Sequence, residues 1–360
     1  SDIEPFWVAD MDLPSPSWLA EVLNHRVNHP IYGYTEKNKE IFNSIKWWMK
    51  NEHNVSIHPD NISLSPSVVT TMSMAIQAFS DTNDNILLFS PVYGPFFTTI
   101  KSHNRGLIDC PLIVEDNTFK INFDLFEKQI ITYEVKILLL CNPQNPGGRV
   151  WKKSELNQIV KICRKYNVII FSDEIHSDIV FQPAKHSSIL SIEEAKDICV
   201  MAHSIGKTFN TSGLKSSFSI VPNATIRNKL RKQHRLSHTD NINLFGKIAI
   251  EKLFSFEGSE YKRQLLSYLR INTNLVYQKL CNVPTLQPML PEATFLVWCD
   301  FRKISDWKDV SRTLINDAKI ALSGGSFFGP SGEGWFRINC GHAKNQLLPA
   351  VDRLCNVFKD

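Results

Sequence analysis

Between residues 86 and 221, short apolar segments alternate with longer amphipathic ones, and this alternation constrains the fold more than any other feature of the sequence. The amphipathic segments, such as the one from Lys153 to Tyr166, have the periodicity of helices. The apolar segments have the length and composition of buried strands, and they cover residues 86–89, 107–110, 135–141, 168–171, 198–202 and 216–221. The alternation predicts an α/β fold with a mostly parallel sheet that helices cover on both faces.

Four predicted strands are followed by a polar or aromatic side chain. Tyr93, Asn145, Asp173 and Lys207 each lie shortly after the end of an apolar segment. Open parallel sheets bind their ligands beyond the carboxyl ends of the strands. We therefore predict that these four side chains belong to one site.

Lys207 is the most informative of the four. A lysine just past a buried strand is poorly placed for solvation, and desolvation lowers its pKa and frees the amine as a nucleophile. Such a lysine can form a Schiff base with an aldehyde cofactor. A solvated loop lysine is the plainer interpretation of the Ser204–Asn210 segment taken alone.

The remaining candidates suit a pyridinium cofactor that withdraws electrons from a bound amino acid. Asp173 would keep the ring nitrogen protonated, and Tyr93 would lie flat against the ring. Donors to the phenolic oxygen would be Asn145 first and His176 second. An anion site for the phosphate would combine the helix start at Val68 and Val69, the hydroxyl of Ser204 and the cation of Lys215.

Arg337, in a predicted strand near the end of the chain, is the candidate for binding a substrate carboxylate, because its guanidinium can donate two parallel hydrogen bonds. Plainer alternatives remain open. Arg337 could form a structural ion pair, and the helix that begins at Val68 could be an ordinary serine-capped helix. The tyrosines of the Tyr32-Gly33-Tyr34 loop could likewise be packing residues.

The alternating region predicts a large domain at 36–255, with a smaller α+β domain formed by 1–35 and 256–360. After residue 223 we expect helical structure from 226 to about 280, followed by strands at 294–298 and 335–339 and helices near 306–317 and 344–357. The glycine-rich segments 324–326 and 329–332 are expected to be flexible connections.

Composition narrows the functional classes. The net charge is +4 with scattered basic residues, which argues against nucleic-acid binding, and no apolar segment has the length of a membrane span. The eight cysteines stand singly without a Cys-x-x-Cys pair, which predicts reduced thiols, no metal site and a cytoplasmic location.

The motifs resemble those of the fold-type I pyridoxal-phosphate enzymes, the superfamily of class I and II aminotransferases. The closest resemblance is to its carbon–sulfur lyase branch, the MalY/PatB-type cystathionine β-lyases. The matching segments run nearly end to end and are Trp7-Val-Ala-Asp-Met-Asp12, Tyr32-Gly-Tyr-Thr35, Ser90-Pro-Val-Tyr-Gly-Pro-Phe96, Asn142-Pro-Gln-Asn-Pro-Gly-Gly148, Ser172-Asp-Glu-Ile-His-Ser-Asp178, Lys207-Thr-Phe-Asn210 and Phe328-Gly-Pro-Ser-Gly-Glu-Gly334.

The resemblance implies a mostly parallel, seven-stranded sheet and pyridoxal 5'-phosphate as the cofactor. It implies Lys207 as the Schiff-base lysine, Asp173 at the pyridine nitrogen, Asn145 at the phenolic oxygen and Tyr93 stacked on the ring. Arg337 would bind the substrate carboxylate. Tyr34 would reach the cofactor phosphate of the neighbouring subunit of a homodimer with shared active sites.

The implied reaction is β-elimination from cystathionine or a related cysteine conjugate, which gives a thiol such as homocysteine, pyruvate and ammonia. An aminotransferase with the same residues is the alternative among enzymes, and a catalytically weak cofactor-binding regulatory protein is the alternative outside them. Three positions depart from the usual pattern of the branch. Gly206 stands where serine is usual, Ser67 where glycine is usual, and Gly147 where threonine or valine is usual.

Overall fold

The computed structural model describes residues 2–36 and 38–359. Several helices begin after a Ser or Asn whose side chain accepts a hydrogen bond from the first turn, as Ser67 and Asn122 do. None of the described helices is long and apolar enough to cross a membrane. The helices are α1 (Ser17–Val27), α2 (Lys39–His53), α3 (Val68–Phe79), α4 (Pro95–Ser102), α5 (Phe123–Thr132), α6 (Lys153–Lys165), α7 (Ala224–Leu236), α8 (Leu244–Leu253), α9 (Phe256–Cys281), α10 (Val310–Asn316) and α11 (Lys344–Val357).

The strands form two larger sheets and two small pairs. They are β1 (Glu4–Pro5), β2 (Ile62–Ser65), β3 (Asn85–Ser90), β4 (Gly106–Pro111), β5 (Ile113–Glu115), β6 (Thr118–Lys120), β7 (Ile137–Cys141), β8 (Ile169–Asp173), β9 (Cys199–Ser204), β10 (Ser217–Ile220), β11 (Gln287–Pro288), β12 (Leu296–Asp300), β13 (Ile320–Ala321), β14 (Ser323–Gly324) and β15 (Trp335–Asn339).

The central sheet has seven strands in the order β2-β10-β9-β8-β7-β3-β4. Neighbouring strands from β9 to β4 pair in parallel, whereas β10 runs antiparallel to both β2 and β9. The predicted α/β fold with a mostly parallel sheet is therefore confirmed, and all the apolar segments between 86 and 221 are strands of this sheet.

Helices cover both faces of the central sheet. On β7, Leu138 and Leu140 belong to one hydrophobic cluster, and Ile137 and Leu139 belong to another. The first cluster includes residues of α2, α5, α6 and α8, and the second includes residues of α3, α4 and α7. Burial on both sides explains why the strand sequences are apolar throughout rather than alternating.

The register of the sheet aligns the strand ends that carry the candidate residues. Cys141 pairs with Asp173 and Asp173 pairs with Ala202, so β7, β8 and β9 reach the same edge together. Backbone hydrogen bonds continue this pairing past the strands, from Asn142 N to Asp173 O and from Glu174 N to Ala202 O, each 2.9 Å long.

The second sheet has four antiparallel strands in the order β11-β12-β15-β14. Its hydrophobic cluster includes Val276 of α9, Leu314 of α10 and Leu347 of α11. Arg337 lies in the middle of β15, opposite Trp298 of β12 and Ser323 of β14. The segment 324–326, which the sequence predicts to be a flexible connection, therefore begins as an edge strand of this sheet, and the flexible-connection prediction is wrong there.

One further prediction needs adjustment. The helical region from 226 to 280 is divided into α7, α8 and α9, because Asn243 and Ser255 each cap the start of a new helix. The first residues of the chain contact both parts of the fold: β1 pairs with β13, whereas Leu19 of α1 packs in the large cluster that contains Ile41. The domain limits 36–255, and 1–35 with 256–360, remain a proposal.

Candidate active site

A cavity of about 730 Å³ lies at the carboxyl ends of the central strands. Every site residue predicted from the sequence lines it except Tyr34: these are Val68, Val69, Tyr93, Asn145, Asp173, His176, Ser204, Lys207, Lys215 and Arg337. The lining residues with numbers between 67 and 216 belong to the central sheet, its helices and its loops, whereas Arg337 belongs to β15 of the second sheet. The cavity is therefore formed by both sheets.

Lys207 follows β9, and its ammonium group donates a hydrogen bond to the carbonyl of Ala9. Burial, followed by the nearby cation of Arg337, lowers the pKa of Lys207 from 10.5 to about 8. Asp10 and Asp173 oppose this change without cancelling it. At such a pKa about a tenth of the amine is unprotonated at pH 7 and about half at pH 8, whereas an ordinary lysine is almost fully protonated, so the change favours a nucleophilic role.

Asp173, at the end of β8, presents one carboxylate oxygen to the cavity. Its Oδ1 accepts a hydrogen bond of 3.0 Å from Ile175 N, and its Oδ2 accepts none within the described part of the chain. Burial raises the pKa of Asp173 to about 6. A cationic donor in the cavity would stabilise the carboxylate and remove this penalty.

His176 lies beside Asp173 and is also buried. Burial, followed by the charge of Lys207, holds the pKa of His176 well below 6.5, so the ring is neutral. Its Nδ1 has no hydrogen-bond partner among the described residues. The burial of Tyr93, followed by the charge of Asp173, raises the pKa of that phenol, which stays protonated.

Arg337 connects the two sheets across the cavity. Its Nη1 donates to Asn145 Oδ1 at 3.0 Å, and its Nη2 donates to the carbonyl of Trp7 at 2.7 Å and to Ser323 Oγ at 3.3 Å. The guanidinium also lies over the ring of Phe328, 4.8 Å from its centroid. Its Nε is buried and has no partner within the described ranges.

The amino end of α3 and the loop after β9 form the opposite end of the cavity. Ser67 Oγ caps α3 by accepting from Thr70 N at 3.0 Å, which leaves the N–H groups of Val68 and Val69 without an intrahelical partner. Ser204 Oγ donates to the carbonyl of Ser216 at 2.7 Å. The hydroxyl of Ser216 itself is buried without a partner in the described chain, and the sequence analysis did not identify it.

Residues 7–9 line the cavity, and polar side chains from the loop after β9 and from β15 hold backbone carbonyls of the segment 7–13. Asn210 Nδ2 donates to the carbonyls of Met11 and Leu13 at 2.6 and 2.8 Å. Asn339 Nδ2 donates to those of Val8 and Asp10, both at 2.7 Å. The motifs at 7–12 and 207–210 were recognised as patterns, but these contacts between them were not predicted.

The glycines that depart from the family pattern have close neighbours. A Cβ on Gly206 would lie 3.0 Å from Ser212 Oγ and 3.2 Å from Ser204 Oγ. A Cβ on Gly147 would lie 2.5 Å from the ring of Phe119. At Gly147 the ring of Phe119 occupies the space that a Cβ would need, whereas at Gly206 a Cβ would be tight against two serine hydroxyls.

Tyr34 is the predicted site residue that does not line the cavity. Its side chain is fully exposed, and Ile31 and Tyr32 in the same loop are 66% and 55% exposed. Within one chain the structure therefore gives Tyr34 no contact with the site.

Behind the cavity, Asp178 is the centre of a buried polar network. Its Oδ1 accepts from Trp48 Nε1 at 3.0 Å and lies 2.8 Å from His53 Nε2, and its Oδ2 accepts from Thr208 Oγ1 at 2.7 Å and lies 3.2 Å from His203 Nε2. His53, Asp178 and His203 each bring a possible ligand atom for a cation, and these atoms lie within 4.8 Å of one another. Because donors already surround both carboxylate oxygens, we interpret the group as a hydrogen-bond network.

The arrangement of unpartnered polar atoms suits a planar, anionic and basic ligand. Asp173 offers a carboxylate oxygen, His176 and Arg337 offer unpaired ring and guanidinium nitrogens, and Ser216 offers a hydroxyl. The cavity places them around Lys207. The residues present therefore fit pyridoxal 5'-phosphate, with its ring nitrogen, phenolic oxygen, aldehyde and phosphate.

Comparisons with known proteins agree with this geometry. The chain is 34% identical to the cystathionine β-lyase PatB of Bacillus subtilis (98% of this chain, 92% of the relative) and 28% identical to the protein MalY of Escherichia coli (100% and 92%). Cystalysin from Treponema denticola, whose crystal structure contains a pyridoxal 5'-phosphate cofactor, superposes with a TM-score of 0.96 at 32% identity, covering 100% of this chain and 92% of that one. The model of the class I and II aminotransferases matches residues 10–354. The chain therefore belongs to the class I and II aminotransferase family.

Proposed function

We propose that the protein is a pyridoxal-phosphate-dependent carbon–sulfur β-lyase that cleaves cystathionine or a related cysteine conjugate. The observation that carries the proposal is the placement of Lys207, with its lowered pKa, beside Asp173 and Arg337 in one cavity. The similarity to a named cystathionine β-lyase over nearly the whole chain supports the lyase reaction within the family.

In this proposal Lys207 binds the cofactor aldehyde, and Asp173 contacts the pyridine nitrogen through its free Oδ2. Asn145 and His176 lie where they can donate to the phenolic oxygen, and Tyr93 packs against the ring. The N–H groups of Val68 and Val69, the hydroxyl of Ser216 and the cation of Lys215 bind the phosphate, and the hydroxyl of Ser204 joins them once it turns from the carbonyl of Ser216. The bound cofactor supplies an electron-withdrawing ring conjugated to the substrate Cα.

The protein residues then orient the substrate and move its protons. Arg337 binds the substrate carboxylate, which fixes the direction in which the Cα–H bond points. The amine of Lys207, released when the substrate amino group takes its place, removes the Cα proton. A pKa of about 8 keeps this amine available as a base near neutral pH.

Loss of the β-thiolate then leads, with the uptake of water, to a free thiol, pyruvate and ammonia. In the rival reaction, transamination, the Lys207 amine would return the proton away from the substrate Cα, and the family assignment also permits this outcome. A third interpretation, a catalytically weak regulatory protein, has no geometric support, because the cavity contains every predicted chemical residue except Tyr34.

The deciding experiment supplies purified protein with L-cystathionine and measures pyruvate. We expect pyruvate to form continuously without an added keto acid, and the Lys207→Ala variant to form none. Product that appears only after a keto-acid acceptor is added would replace the lyase with the aminotransferase. Absence of both products would favour the regulatory protein.

We further propose a homodimer in which Tyr34 of one chain contacts the cofactor phosphate bound by the other. The exposed aromatic and apolar side chains of the 31–34 loop support it, since a contiguous exposed apolar segment is typical of an interface. The cytoplasmic location rests on the buried free cysteines. A role in methionine biosynthesis rests on homocysteine as the thiol product.

A further inference from the structure

A second cavity, of about 450 Å³, adjoins the one that contains Lys207. Its walls come from α4 and from the short turns at Gly325–Phe328 and Pro330–Gly332. Pro95 and Phe327 line both cavities, so the two meet at these side chains. A substrate whose reacting end lies beside Lys207 can therefore extend its other end into the second cavity.

Two charged side chains of opposite sign line this second cavity. Lys101 lies in the last turn of α4, and Glu333 follows the turn that ends at Gly332. Both are exposed, and neither forms an ion pair with any residue that the structure describes. A cation and an anion that face one cavity match the carboxylate and the ammonium group of a zwitterion.

Close contacts hold the walls of the second cavity in place. Val92 N donates to the carbonyl of Phe328 at 2.9 Å. A Cβ on Gly329 would lie 2.4 Å from the ring of Phe97, and a Cβ on Gly94 would lie 2.7 Å from the carbonyl of Phe327. The loop is thus in direct contact with α4 and with the residues just before it, and these contacts within the chain define the shape of the cavity.

We propose that the second cavity is a subsite for the far end of an elongated thioether, where Lys101 contacts a carboxylate and Glu333 contacts an ammonium group. The inference rests on the proposed lyase function and names the substrate class: cysteine conjugates that carry a second amino-acid group beyond the sulfur. L-cystathionine has this group. S-ethyl-L-cysteine has the same reacting end and no charge beyond the sulfur.

Both substrates undergo the same reaction, so they can be compared directly. The Cβ–S bond breaks, the sulfur takes up a proton as the thiol, and one water molecule is consumed as the remaining fragment becomes pyruvate and ammonium. The measured quantity is the ratio of kcat/KM for L-cystathionine to kcat/KM for S-ethyl-L-cysteine. The variants Lys101→Met and Glu333→Gln each remove one charge with little change of shape. The variant Lys101→Glu reverses the charge at position 101.

We expect the ratio to fall about two- to fivefold in Lys101→Met and Glu333→Gln, as the loss of one partly exposed ion pair predicts, and further in Lys101→Glu. The fall should come from KM for cystathionine rather than from kcat. The control is Lys128→Met, which removes an exposed lysine of α5 that does not line the cavity, and its ratio should equal that of the unmodified protein.

An unchanged ratio in all three variants, or an equal loss for both substrates, would overturn the subsite while leaving the lyase function intact. If the unmodified protein releases pyruvate from neither substrate, the proposed function fails, and the subsite fails with it. Calorimetric binding of L-cystathionine to Lys207→Ala and to Lys207→Ala/Lys101→Glu gives a second readout, in which weaker binding by the double variant is expected.

Discussion

Lys207 holds a positive charge at a partly buried position beside a second cation, Arg337. Burial is the main cause of its lowered pKa, so the folded protein without cofactor is less stable than it would be with a neutral side chain there. The lysine is retained for its chemistry, at a cost in folding free energy that the bound cofactor would relieve.

This gives a prediction for the cofactor-free protein. Lys207→Met should raise the free energy of unfolding at pH 7 by about 1–3 kcal/mol, measured by urea denaturation. The unfolded chain binds the lysine proton up to pH 10.5 and the folded chain only up to about 8, so the stability of the unmodified protein rises with pH between these values. The advantage of the variant should therefore shrink from pH 8 to 10.5.

The control is Lys215→Met, which changes an exposed lysine at the same cavity. It should give neither the stabilisation nor the pH dependence. Equal effects of the two variants would mean that burial of Lys207 is not the cause.

A second prediction at the level of single residues concerns the close approach of Gly206 to Ser212. Gly206 does not have a positive φ, so its backbone conformation does not require glycine. A larger residue is disfavoured because its Cβ would lie only 3.0 Å from Ser212 Oγ. We predict that Gly206→Ala weakens cofactor binding and stability, and that Ser212→Ala reduces this loss. A double-mutant cycle by thermal unfolding should give a coupling of about 0.5–1.5 kcal/mol. Additive effects would show that the two sites are independent.

At the scale of elements, Asp178 connects the loop after β8 to α2 and to the loop that carries Lys207. Trp48 and His53 reach it from α2, and Thr208, the residue after Lys207, reaches it from the other side. Although burial alone would raise its pKa, His203 and the donors around it hold the pKa of Asp178 well below 3.8. The carboxylate therefore remains charged throughout the neutral range.

Asp178→Asn should destabilise the protein by about 2–4 kcal/mol at pH 7, because an amide replaces one acceptor oxygen with a donor that faces other donors. A carboxylate with a lowered folded pKa contributes stability above its unfolded pKa and loses it as the pH falls further. The difference from the unmodified protein should thus shrink below about pH 4. Asp81→Asn, at an exposed position, is the matched control and should have little effect at either pH.

The comparison of sequence with structure is clearest for these elements. The buried strands were predictable from apolar segments of strand length. Because ligands bind beyond the carboxyl ends of parallel strands, the residues that follow these strands, Asn145, Asp173 and Lys207, could be placed at one edge of the sheet. The antiparallel direction of β10 and the breaks between α7, α8 and α9 were not predicted. They depend on pairing partners and caps that a pattern of hydrophobicity does not contain.

The same limit applies to the site. Arg337, proposed as a carboxylate ligand from its residue type, does line the cavity. Its hydrogen bond to the carbonyl of Trp7 and the hydrogen bond from Trp48 to Asp178 were not predicted, because each joins residues that are more than a hundred positions apart in the chain. Ser216 was missed because a buried serine without a partner has no distinctive pattern in sequence.

At the scale of the whole molecule, the proposed homodimer can be tested by complementation. Tyr34→Ala should reduce activity although the cavity of its own chain is complete. When equal amounts of Tyr34→Ala and Lys207→Ala chains are unfolded, mixed and refolded, about half of the dimers should be mixed, and about a quarter of all sites should hold both original residues. Activity above the mean of the two parents is the expected result.

If Tyr34 and Lys207 act within one chain, a mixed dimer contains no complete site. Activity at or below the mean of the parents would then reject the shared site. Each variant refolded alone gives the reference values.

The segment 7–13, whose carbonyls are held by distant parts of the chain, has a consequence for biosynthesis. The ribosome makes this segment well before Asn210, Arg337 and Asn339, which hold its carbonyls. The strands of the central sheet can begin to pair during translation, but the hydrogen bonds that hold residues 7–13 cannot all form until residue 339 has left the exit tunnel. We therefore expect cofactor capture to follow translation, since a truncated nascent chain would carry Lys207 without a complete site around it.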